Sequence, residues 1–332
     1  MRVLITGANG FIGRQLVLRL LETGTLRGRT IDALLVVDRC LGALPEDGRL
    51  RRLPGDVTES AVLRRALADG VDVVFHLAGI PGAIAERDYE LGYRTNLLAS
   101  LELMQLLRAQ PSPAVLVFAS SVAVYGDDLP PRMNGEGDLQ PALTVGAHKQ
   151  MVETALVDLS RRGELDGRAI RLPSVVARPD GTSGLLSGFM SDLLNAFVRN
   201  TPYCCPVSPE ATGWWMSVRC CVANLIQAAE LEVDSLRSRR VWQLPVLKLS
   251  VAEVIEGLVE LYGEERRSLI THAPNPQLEA AFGAFPPLRA PQARALGFSH
   301  DRNVASLIRN ALTPPGAPRR GRPQVRVKES LQ

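Results

Sequence analysis

The chain has 332 residues, of which 46% are hydrophobic and 22% are charged, and its formal net charge is +3. This length and composition are typical of a globular protein with a large buried core, which excludes a disordered or fibrous chain. No apolar stretch approaches the roughly 20 residues of a membrane span, and the first predicted strand starts at Arg2, which leaves no room for a signal peptide. We therefore expect a soluble, cytoplasmic protein.

Short apolar runs of β type alternate with helical patterns along the first half of the chain. The predicted strands cover residues 3–5, 34–37, 50–53, 73–77, 114–118 and 168–172. Such alternation is typical of a parallel sheet with helices on both faces. We therefore predict an α/β fold with a Rossmann-type doubly wound parallel sheet.

A glycine-rich turn, Thr6-Gly7-Ala8-Asn9-Gly10-Phe11-Ile12-Gly13, follows the first predicted strand and leads into an apolar helical pattern. Glycines at this spacing form a tight turn, let the backbone approach a pyrophosphate and let the helix pack closely, so that the N–H groups at the helix start face the phosphates. We expect this dinucleotide cradle to involve Gly7, Asn9, Gly10, Phe11, Ile12 and Gly13.

Asp38 ends the second predicted strand. An acidic side chain at this position binds both hydroxyls of an adenosine ribose and repels a 2′-phosphate. The neighbouring Arg39 weakens that preference only slightly. We therefore expect the cofactor to be NAD rather than NADP.

The regular alternation ends near residue 178. Before it, a long helix is predicted over 146–161; after it, helices are predicted over 222–232, 251–262 and 304–312 and a short strand over 241–244. We expect an NAD-binding domain over 1–178 and a smaller lobe, mainly for substrate binding, over 179–312. Residues at about 220–245 are candidates for a later segment that belongs to the first domain.

The net positive charge of the chain comes from its last residues. Residues 314–332 hold five basic side chains against Glu329 and start with a proline-rich stretch. We expect 313–332 to form a disordered basic tail. Nothing else in the sequence indicates nucleic-acid binding, so we expect a small-molecule substrate and no nucleic-acid or membrane partner.

The five cysteines are Cys40, Cys204, Cys205, Cys220 and Cys221. Adjacent pairs lack the C-x-x-C spacing that lets two thiolates reach one metal ion. We expect reduced structural thiols and no metal site. A site that gathers the two adjacent pairs is the alternative.

Further motifs occur in order: Gly55-Asp56-Val57, His76-Leu77-Ala78-Gly79, Asn96 in the next helix and Ser120-Ser121-Val122-Ala123-Val124-Tyr125-Gly126. With the glycine turn and Asp38, they resemble the extended short-chain dehydrogenases/reductases, the NAD-dependent epimerase/dehydratase family, over roughly residues 1–312. The resemblance implies an adenine pocket at Asp56 and Val57. It implies further cofactor contacts at Leu77, Ala78, Gly79, Asn96, Lys149, Pro173, Ser174 and Val175.

Two segments, residues 163–179 and Trp215-Met216-Ser217-Val218-Arg219, resemble the D-erythronate dehydrogenase group of that superfamily. Enzymes of this group oxidise the C2 hydroxyl of a four-carbon sugar acid with NAD. Their substrate loop carries an asparagine and an Arg-Glu-Pro-Leu stretch where this chain has Ser183 and Asn195-Ala196-Phe197-Val198. The pocket chemistry therefore differs from that of the group.

The family's catalytic pair is a tyrosine four residues before a lysine, one helical turn apart. The lysine binds the nicotinamide ribose and lowers the pKa of the tyrosine, which then takes the substrate's hydroxyl proton. Lys149 is present, but Val145 occupies the tyrosine position, and no tyrosine lies between Tyr125 and Tyr203. The loss of a general base typically lowers a rate by a factor of about 100 to 10,000.

Three replacements for the missing base can be weighed. Tyr125 follows the family's serine by four residues, although this tyrosine usually serves structure in the family. His148 has a suitable pKa for proton transfer, although a surface position on the helix is the alternative. Thr144, or a water held by Ser121, is the third. The resemblance implies that Ser121 hydrogen-bonds the substrate oxygen, while Ser120 is expected to be a packing residue.

Two arginines are candidates for binding a substrate carboxylate. Arg219 is preferred because a guanidinium binds a carboxylate through two parallel hydrogen bonds. Arg178 is the weaker candidate, since it follows the sixth strand and a surface ion pair would explain it. Trp214 and Trp215 are candidates for a wall of the pocket, with at least one of them expected in the core.

The sequence leaves three functions open. The first is an NAD-dependent oxidoreductase of a small polyhydroxy acid with an altered proton route. The second is an epimerase, dehydratase or biosynthetic enzyme of the same fold. The third is an NAD-binding protein without turnover. The resemblance also implies a homodimer formed through the helices at 90–108 and 146–161.

Overall fold

Strands and helices alternate from the first residues of the chain. The computed structural model describes residues 1–42, 44–179, 186–233 and 239–313. The strands are β1 (Arg2–Thr6), β2 (Thr25–Leu26), β3 (Arg29–Thr30), β4 (Ala33–Asp38), β5 (Leu50–Pro54), β6 (Val73–His76), β7 (Val115–Ser121), β8 (Asp166–Leu172), β9 (Ser174–Val176), β10 (Tyr203–Cys205), β11 (Thr212–Ser217), β12 (Val241–Gln243), β13 (Leu247–Ser250) and β14 (Ile270–His272).

The α-helices are α1 (Phe11–Thr23), α2 (Ser60–Leu67), α3 (Gly82–Arg87), α4 (Tyr89–Gly92), α5 (Ala99–Arg108), α6 (Thr144–Arg161), α7 (Phe189–Arg199), α8 (Val218–Glu230), α9 (Val251–Tyr262), α10 (Pro276–Phe282), α11 (Pro291–Ala295) and α12 (Val304–Leu312). A π-helical turn covers Tyr93–Leu98, and 3₁₀ turns cover Val122–Tyr125, Leu186–Gly188 and Glu264–Leu269.

Seven strands form the central sheet, in the order β12-β8-β7-β6-β1-β4-β5. All neighbouring strands in it are parallel. The strand order reverses between β1 and β6, and ligands of such sheets bind at the carboxyl ends of the strands near this point. The predicted Rossmann-type doubly wound fold is confirmed.

Both faces of the sheet are buried, which explains why its strands are nearly continuous apolar runs. Side chains of α1 and α8 pack in the cluster on one face, and side chains of α2, α5 and α6 pack on the other. Strand β12 pairs with β8 at the edge of this sheet, and α8 packs beside α1.

The lobe has its own core. Strand β11 pairs in parallel with β9 and antiparallel with β13, while β10 pairs with β14. Helices α7, α9 and α12 bury side chains together in one cluster that includes Phe197, Val254 and Leu307. Strand β9 directly follows β8, so the chain passes from the central sheet into the lobe at the site's edge.

Several element ends differ from the sequence predictions. Strand β7 continues to Ser121 instead of ending at 118, and it therefore carries the serine pair into the sheet edge. Helix α8 begins at Val218 instead of 222, because the Ser217 side chain accepts a hydrogen bond from the Cys220 N–H and caps the helix. Helix α6 begins at Thr144, which places Val145 inside its first turn.

Two sequence expectations fall outside the described residues: the basic tail, apart from Thr313, and Ser183 of the substrate loop. Within the part of the chain that the structure describes, no helix combines the length and the apolar character needed to cross a membrane.

Gly126 fixes the turn that follows the serine pair, and its replacement provides a test of this geometry. Its φ is +80°, and a Cβ atom would lie 1.9 Å from the Gln140 carbonyl oxygen. Gly163 has a similar φ of +72° but no atom near its Cβ position. We expect Gly163→Ala to lower the free energy of unfolding by about 1 kcal/mol, and Gly126→Ala by about 3 kcal/mol or more, because overpacking adds to the φ penalty. Urea denaturation followed by circular dichroism measures both; equal losses would contradict this description of the turn.

Candidate active site

The glycine turn between β1 and α1 is fixed by the protein's own backbone. Gly7 has a φ of +71°, and a Cβ atom on it would lie 2.6 Å from the Ala78 nitrogen. A Cβ atom on Gly13 would lie 2.1 Å from the Gly7 carbonyl oxygen. A Cβ atom on Gly10, in contrast, would meet only that oxygen, at 3.2 Å. Gly10 therefore leaves space on the outer side of the turn, where a ligand approaches.

The turn opens into a cleft of about 270 Å³, which we call the glycine cleft. It is lined by Gly7, Asn9, Gly10, Asp38, Arg39, Gly55, Asp56, Val57, Leu77, Ala78, Gly79, Ile80, Leu91 and Thr95. The Asp38 carboxylate accepts hydrogen bonds from the N–H groups of Asn9 (2.9 Å) and Arg39 (2.8 Å). This cleft brings together most of the residues that the sequence assigns to the cofactor.

A dinucleotide fits the residues of the glycine cleft. Asn9 Oδ1 is buried and has no hydrogen-bond partner within the described residues. No side chain caps the start of α1 at Gly10, so its first N–H groups remain available to a phosphate. Phe11 and Ile12 begin this helix and lie outside the lining of the cleft.

Asn96 lies in the π-helical turn and faces the neighbouring loop rather than either cavity. Its Oδ1 accepts a hydrogen bond from the Ile80 N–H (2.7 Å), and its Nδ2 donates to the Ile80 carbonyl (3.1 Å). Asn96 therefore fixes the loop after β6 that borders the glycine cleft.

A second cavity of about 280 Å³, which we call the serine cavity, lies at the carboxyl ends of β7 and β8. Its lining is Ile12, Gly82, Ser120, Ser121, Val122, Ala123, Gly126, Asp127, Ala142, Leu143, Val145, Leu172, Pro173, Ser174, Val175, Val176, Arg178, Leu186, Ser187, Ser191, Ala281, Phe282 and Phe285. Both the nucleotide-binding half and the lobe contribute. Asp127 and Arg178 are the ionisable residues among these described lining residues.

Ser121 ends β7 and caps the 3₁₀ turn that follows it. Its Oγ accepts a hydrogen bond from the Ala123 N–H at 3.1 Å, which leaves the hydroxyl proton free to donate into the cavity. Ser120 instead donates to Glu153 Oε1 at 2.6 Å and is buried. Both serines line the cavity, but Ser120 is tied to helix α6 through Glu153, whereas the Ser121 hydroxyl can donate into the cavity.

Lys149 lies on α6, one helical turn after Val145, and is not among the lining residues of either cavity. Its Nζ donates a hydrogen bond to the Ala119 carbonyl (2.7 Å) and lies 4.5 Å from the centre of the Phe118 ring. Burial lowers the pKa of this amine from its ordinary value to about 8, against the opposing field of Glu153.

A buried network surrounds the Glu153 carboxylate. Arg171 donates two hydrogen bonds to it, at 2.9 and 2.7 Å, and donates a third to the Tyr125 hydroxyl at 3.1 Å. Tyr125 in turn donates to the Gly135 carbonyl (3.2 Å) and is 2% exposed. Burial raises the pKa of this phenol. Tyr125 is thus a structural residue away from the serine cavity.

Val145 lies in the first turn of α6 and faces Gly82, whose Cβ position would be 3.2 Å from Val145 Cγ1. His148 is buried, so the alternative of a surface histidine was wrong: its ring lies 5.7 Å from Tyr89 and 6.0 Å from Tyr93. It is not part of the serine cavity's lining. Thr144 uses its N–H to bind the Glu86 carboxylate.

Arg178 reaches the serine cavity, whereas Arg219 does not belong to its lining. The Arg178 guanidinium stacks on the Phe11 ring, 4.9 Å from its centre, and burial lowers its pKa. No carboxylate pairs with it within the described residues. Arg219 is half-buried at the start of α8. The sequence favoured Arg219 over Arg178 as the carboxylate-binding residue, but of the two only Arg178 lines the cavity.

The predicted tryptophan wall is not formed. Trp214 and Trp215 are both 1% exposed, and their indole N–H groups donate to the Pro286 and Leu249 carbonyls. Phe282 and Phe285 line the cavity instead. Asp127 was also missed, although a carboxylate directly after the Ser120–Gly126 motif was a visible signal.

The cysteines do not gather into a site. Cys205 is buried in the lobe core, and Cys220 and Cys221 are buried against the central sheet. All five thiols are free. No group of metal-ligating side chains is found in the described ranges.

Comparison with known proteins places these cavities in a family context. The chain is 38% identical to D-erythronate dehydrogenase from Cupriavidus necator over 93% of its length and 97% of that protein. It is 31% identical to D-erythronate dehydrogenase from Haemophilus influenzae, covering 93% of this chain and 98% of that protein. The crystal structure of a nucleoside-diphosphate-sugar epimerase from Agrobacterium tumefaciens superimposes with a TM-score of 0.87 at 32% identity, over 93% of this chain and 92% of that one.

Residues 3–210 match the family model of the NAD-dependent epimerases and dehydratases, which covers the glycine turn, Asp38, Ser121 and Lys149. The chain therefore belongs to the NAD-dependent epimerase/dehydratase family.

Proposed function

We propose that the protein is an NAD-dependent dehydrogenase that oxidises the C2 hydroxyl of a small polyhydroxy acid, D-erythronate. The observation that carries this proposal is the serine cavity: a small chamber that presents the Ser121 hydroxyl and an Arg178 guanidinium with no carboxylate partner within the described residues. A four-carbon hydroxy acid supplies both matching groups. The two D-erythronate dehydrogenases that are similar over almost the whole chain support the substrate.

The glycine cleft binds the cofactor, and the serine cavity binds the substrate. The glycine turn and the start of α1 hold the pyrophosphate, and Asp38 binds the adenosine ribose and selects NAD. Lys149, Pro173 and Val175 hold the nicotinamide half. Bound NAD⁺ supplies the hydride acceptor. The first half of the chain thus binds the cofactor, and the lobe closes the substrate chamber through Ser191 and Phe282.

Ser121 and Arg178 orient the substrate. Ser121 donates its free hydroxyl proton to the substrate's C2 oxygen, while Arg178 binds the carboxylate. The Phe11 ring stacks against the guanidinium and restricts the side chain before substrate binds. Binding a carboxylate therefore costs less conformational entropy. The partly buried cation gains most from an anionic partner, because it has lost hydration and no described residue supplies a counter-ion.

Among the alternatives, one has specific support. Val145 cannot exchange a proton, which favours an NAD-binding protein without turnover. A second enzyme class, an epimerase or dehydratase, shares the fold and the family. Only turnover separates these functions, because all of them retain the glycine cleft.

The proposal is tested by NADH formation from NAD⁺ with D-erythronate, in parallel with the neutral polyol erythritol. We expect turnover of the acid and little of the polyol, since erythritol offers Arg178 no charge. Identification of a 2-oxo acid as the product checks the oxidised carbon. No turnover across four- to six-carbon sugar acids would contradict the dehydrogenase function.

Two matched variants separate the two arginines. Arg178→Met is expected to lower kcat/KM for D-erythronate about 10- to 100-fold, the usual value of a hydrogen bond to a charged group. Arg219→Met tests the competing position, and we expect it to change kcat/KM by less than about 3-fold, since it removes no charge from the cavity. A larger loss in Arg219→Met than in Arg178→Met would instead assign carboxylate binding to Arg219.

We further propose a homodimer formed by α5 and α6 in the cytoplasm. The free thiols fit a reducing compartment. Exposed apolar side chains on and beside these helices, Leu98, Met151 and Val157, fit a protein–protein contact.

Light scattering at micromolar concentration tests the assembly. We expect a dimeric mass for the wild type and a monomeric mass for Met151→Glu, because a charge buried in an apolar contact lacks a partner. Val233 is a similarly exposed apolar residue outside these helices, and Val233→Glu should remain dimeric. A monomeric wild type would refute the dimer.

A further inference from the structure

Helix α7 brings one buried hydroxyl group from the lobe to the serine cavity. Ser191 lies in the first turn of this helix, is 4% exposed and belongs to the lining of the cavity. No described residue forms a hydrogen bond with its hydroxyl. Buried side-chain hydroxyls in proteins are normally hydrogen-bonded. A ligand in the cavity can therefore supply the partner that the protein does not.

A hydrogen bond between α7 and the segment after β9 shows which way this hydroxyl faces. Asn195 stands one helical turn after Ser191, so the two side chains share a face of α7. The Asn195 side chain donates from Nδ2 to the Arg178 backbone carbonyl at 2.6 Å. The face of α7 that carries Ser191 is therefore held against the segment that carries Arg178, and both residues line the same cavity.

Burial distinguishes Ser191 from the other polar residues of this lining. Ser174 and Ser187 are half-buried and Asp127 is exposed, so water can satisfy their polar atoms. Ser120 is buried but already donates to Glu153. Among the described lining residues, Ser191 thus combines a buried side chain with a hydroxyl that has no partner in the protein.

The proposed substrate has hydroxyl groups that Arg178 and Ser121 do not bind. Arg178 binds the C1 carboxylate and Ser121 the C2 oxygen, which leaves the hydroxyls at C3 and C4. Ser121 comes from β7 in the nucleotide-binding half, whereas Ser191 comes from the lobe. Phe282 and Phe285 also line the cavity from the lobe, but their rings offer no hydrogen bond to a hydroxyl oxygen.

We propose that Ser191 is a specificity-determining residue, which hydrogen-bonds a substrate hydroxyl beyond C2 and so selects a polyhydroxy acid over a plain 2-hydroxy acid. This inference rests on the proposed dehydrogenase function. An acid without hydroxyls at C3 and C4 leaves the buried Ser191 hydroxyl unpaired when it fills the cavity. A site built to hydrogen-bond a substrate hydroxyl rejects an analogue that lacks it for this reason.

Two acids and one substitution measure this selection. D-erythronate and (R)-2-hydroxybutanoate have the same carbon chain and C2 configuration, but the second acid lacks the hydroxyls at C3 and C4. We expect the wild type to prefer D-erythronate. Ser191→Ala should lower kcat/KM for D-erythronate about 10-fold, as expected for one lost hydrogen bond, and change that for the analogue by less than about 2-fold. The preference for D-erythronate then falls by nearly the same factor.

Ser187→Ala tests the competing hydroxyl. Ser187 lies in the 3₁₀ turn before α7 and also lines the cavity. Because water can replace its half-buried hydroxyl, we expect the preference to change by less than about 2-fold. Alanine favours a helix more than serine does, so Ser191→Ala should remain folded, which circular dichroism checks. A larger loss of preference in Ser187→Ala than in Ser191→Ala would overturn the assignment to Ser191.

A binding measurement distinguishes failure of this inference from failure of the dehydrogenase function. Calorimetry gives the affinity of both acids for the enzyme saturated with NADH, which requires no turnover. Equal losses for the two acids in Ser191→Ala overturn the role of Ser191 even when the wild type oxidises D-erythronate. A silent wild type whose binding preference for D-erythronate disappears in Ser191→Ala contradicts the dehydrogenase function and supports the role of Ser191. A wild type without any preference between the acids overturns that role.

Discussion

The buried ion pair between Glu153 and Arg171 is the interaction on which the site's geometry depends. It joins α6, which carries Val145 and Lys149, to β8, whose end opens into the serine cavity. Ser120 and Tyr125 complete the same network from β7 and the 3₁₀ turn. Breaking such a pair by removing one partner usually costs about 3 to 5 kcal/mol, because the other charge remains buried. The pair therefore fixes the distance between the helix and the strand edge.

This arrangement also sets the charge of Lys149. With Glu153 compensated by Arg171, the lysine remains beside neutral groups, the Ala119 carbonyl and the Phe118 ring. In the family, a lysine at this position lowers the pKa of its tyrosine, and this chain holds Val145 in place of that tyrosine.

Much of the fold and of the glycine cleft could be predicted from the sequence, because local residues determine them. The turn at Gly7 needs a positive φ within a strand–turn–helix unit, and Asp38 ends the neighbouring strand; both requirements are visible in short segments. The placement of Arg178 and Arg219 could not be predicted in this way. Their order depends on where Phe11 and the lobe lie relative to β9 and α8, which is set by packing between distant segments.

The same limit explains other errors. His148 has no local signal for burial, since Tyr89 and Tyr93 cover it from another part of the chain. Adjacent tryptophans on β11 point to opposite faces, and both faces happen to be covered, by Phe285 on one side and by the lobe core on the other. Asp127 enters the serine cavity only because the turn at Gly126 bends the chain back against Gln140.

The central claim is that this chain oxidises its substrate without the family's tyrosine. The most direct measurement compares NADH formation from D-erythronate by the wild type, Val145→Ala and Val145→Tyr, each across a pH series. The account predicts turnover by the wild type and by Val145→Ala. Turnover by Val145→Tyr alone would contradict it, because the chain would then hold a complete pocket with no base of its own.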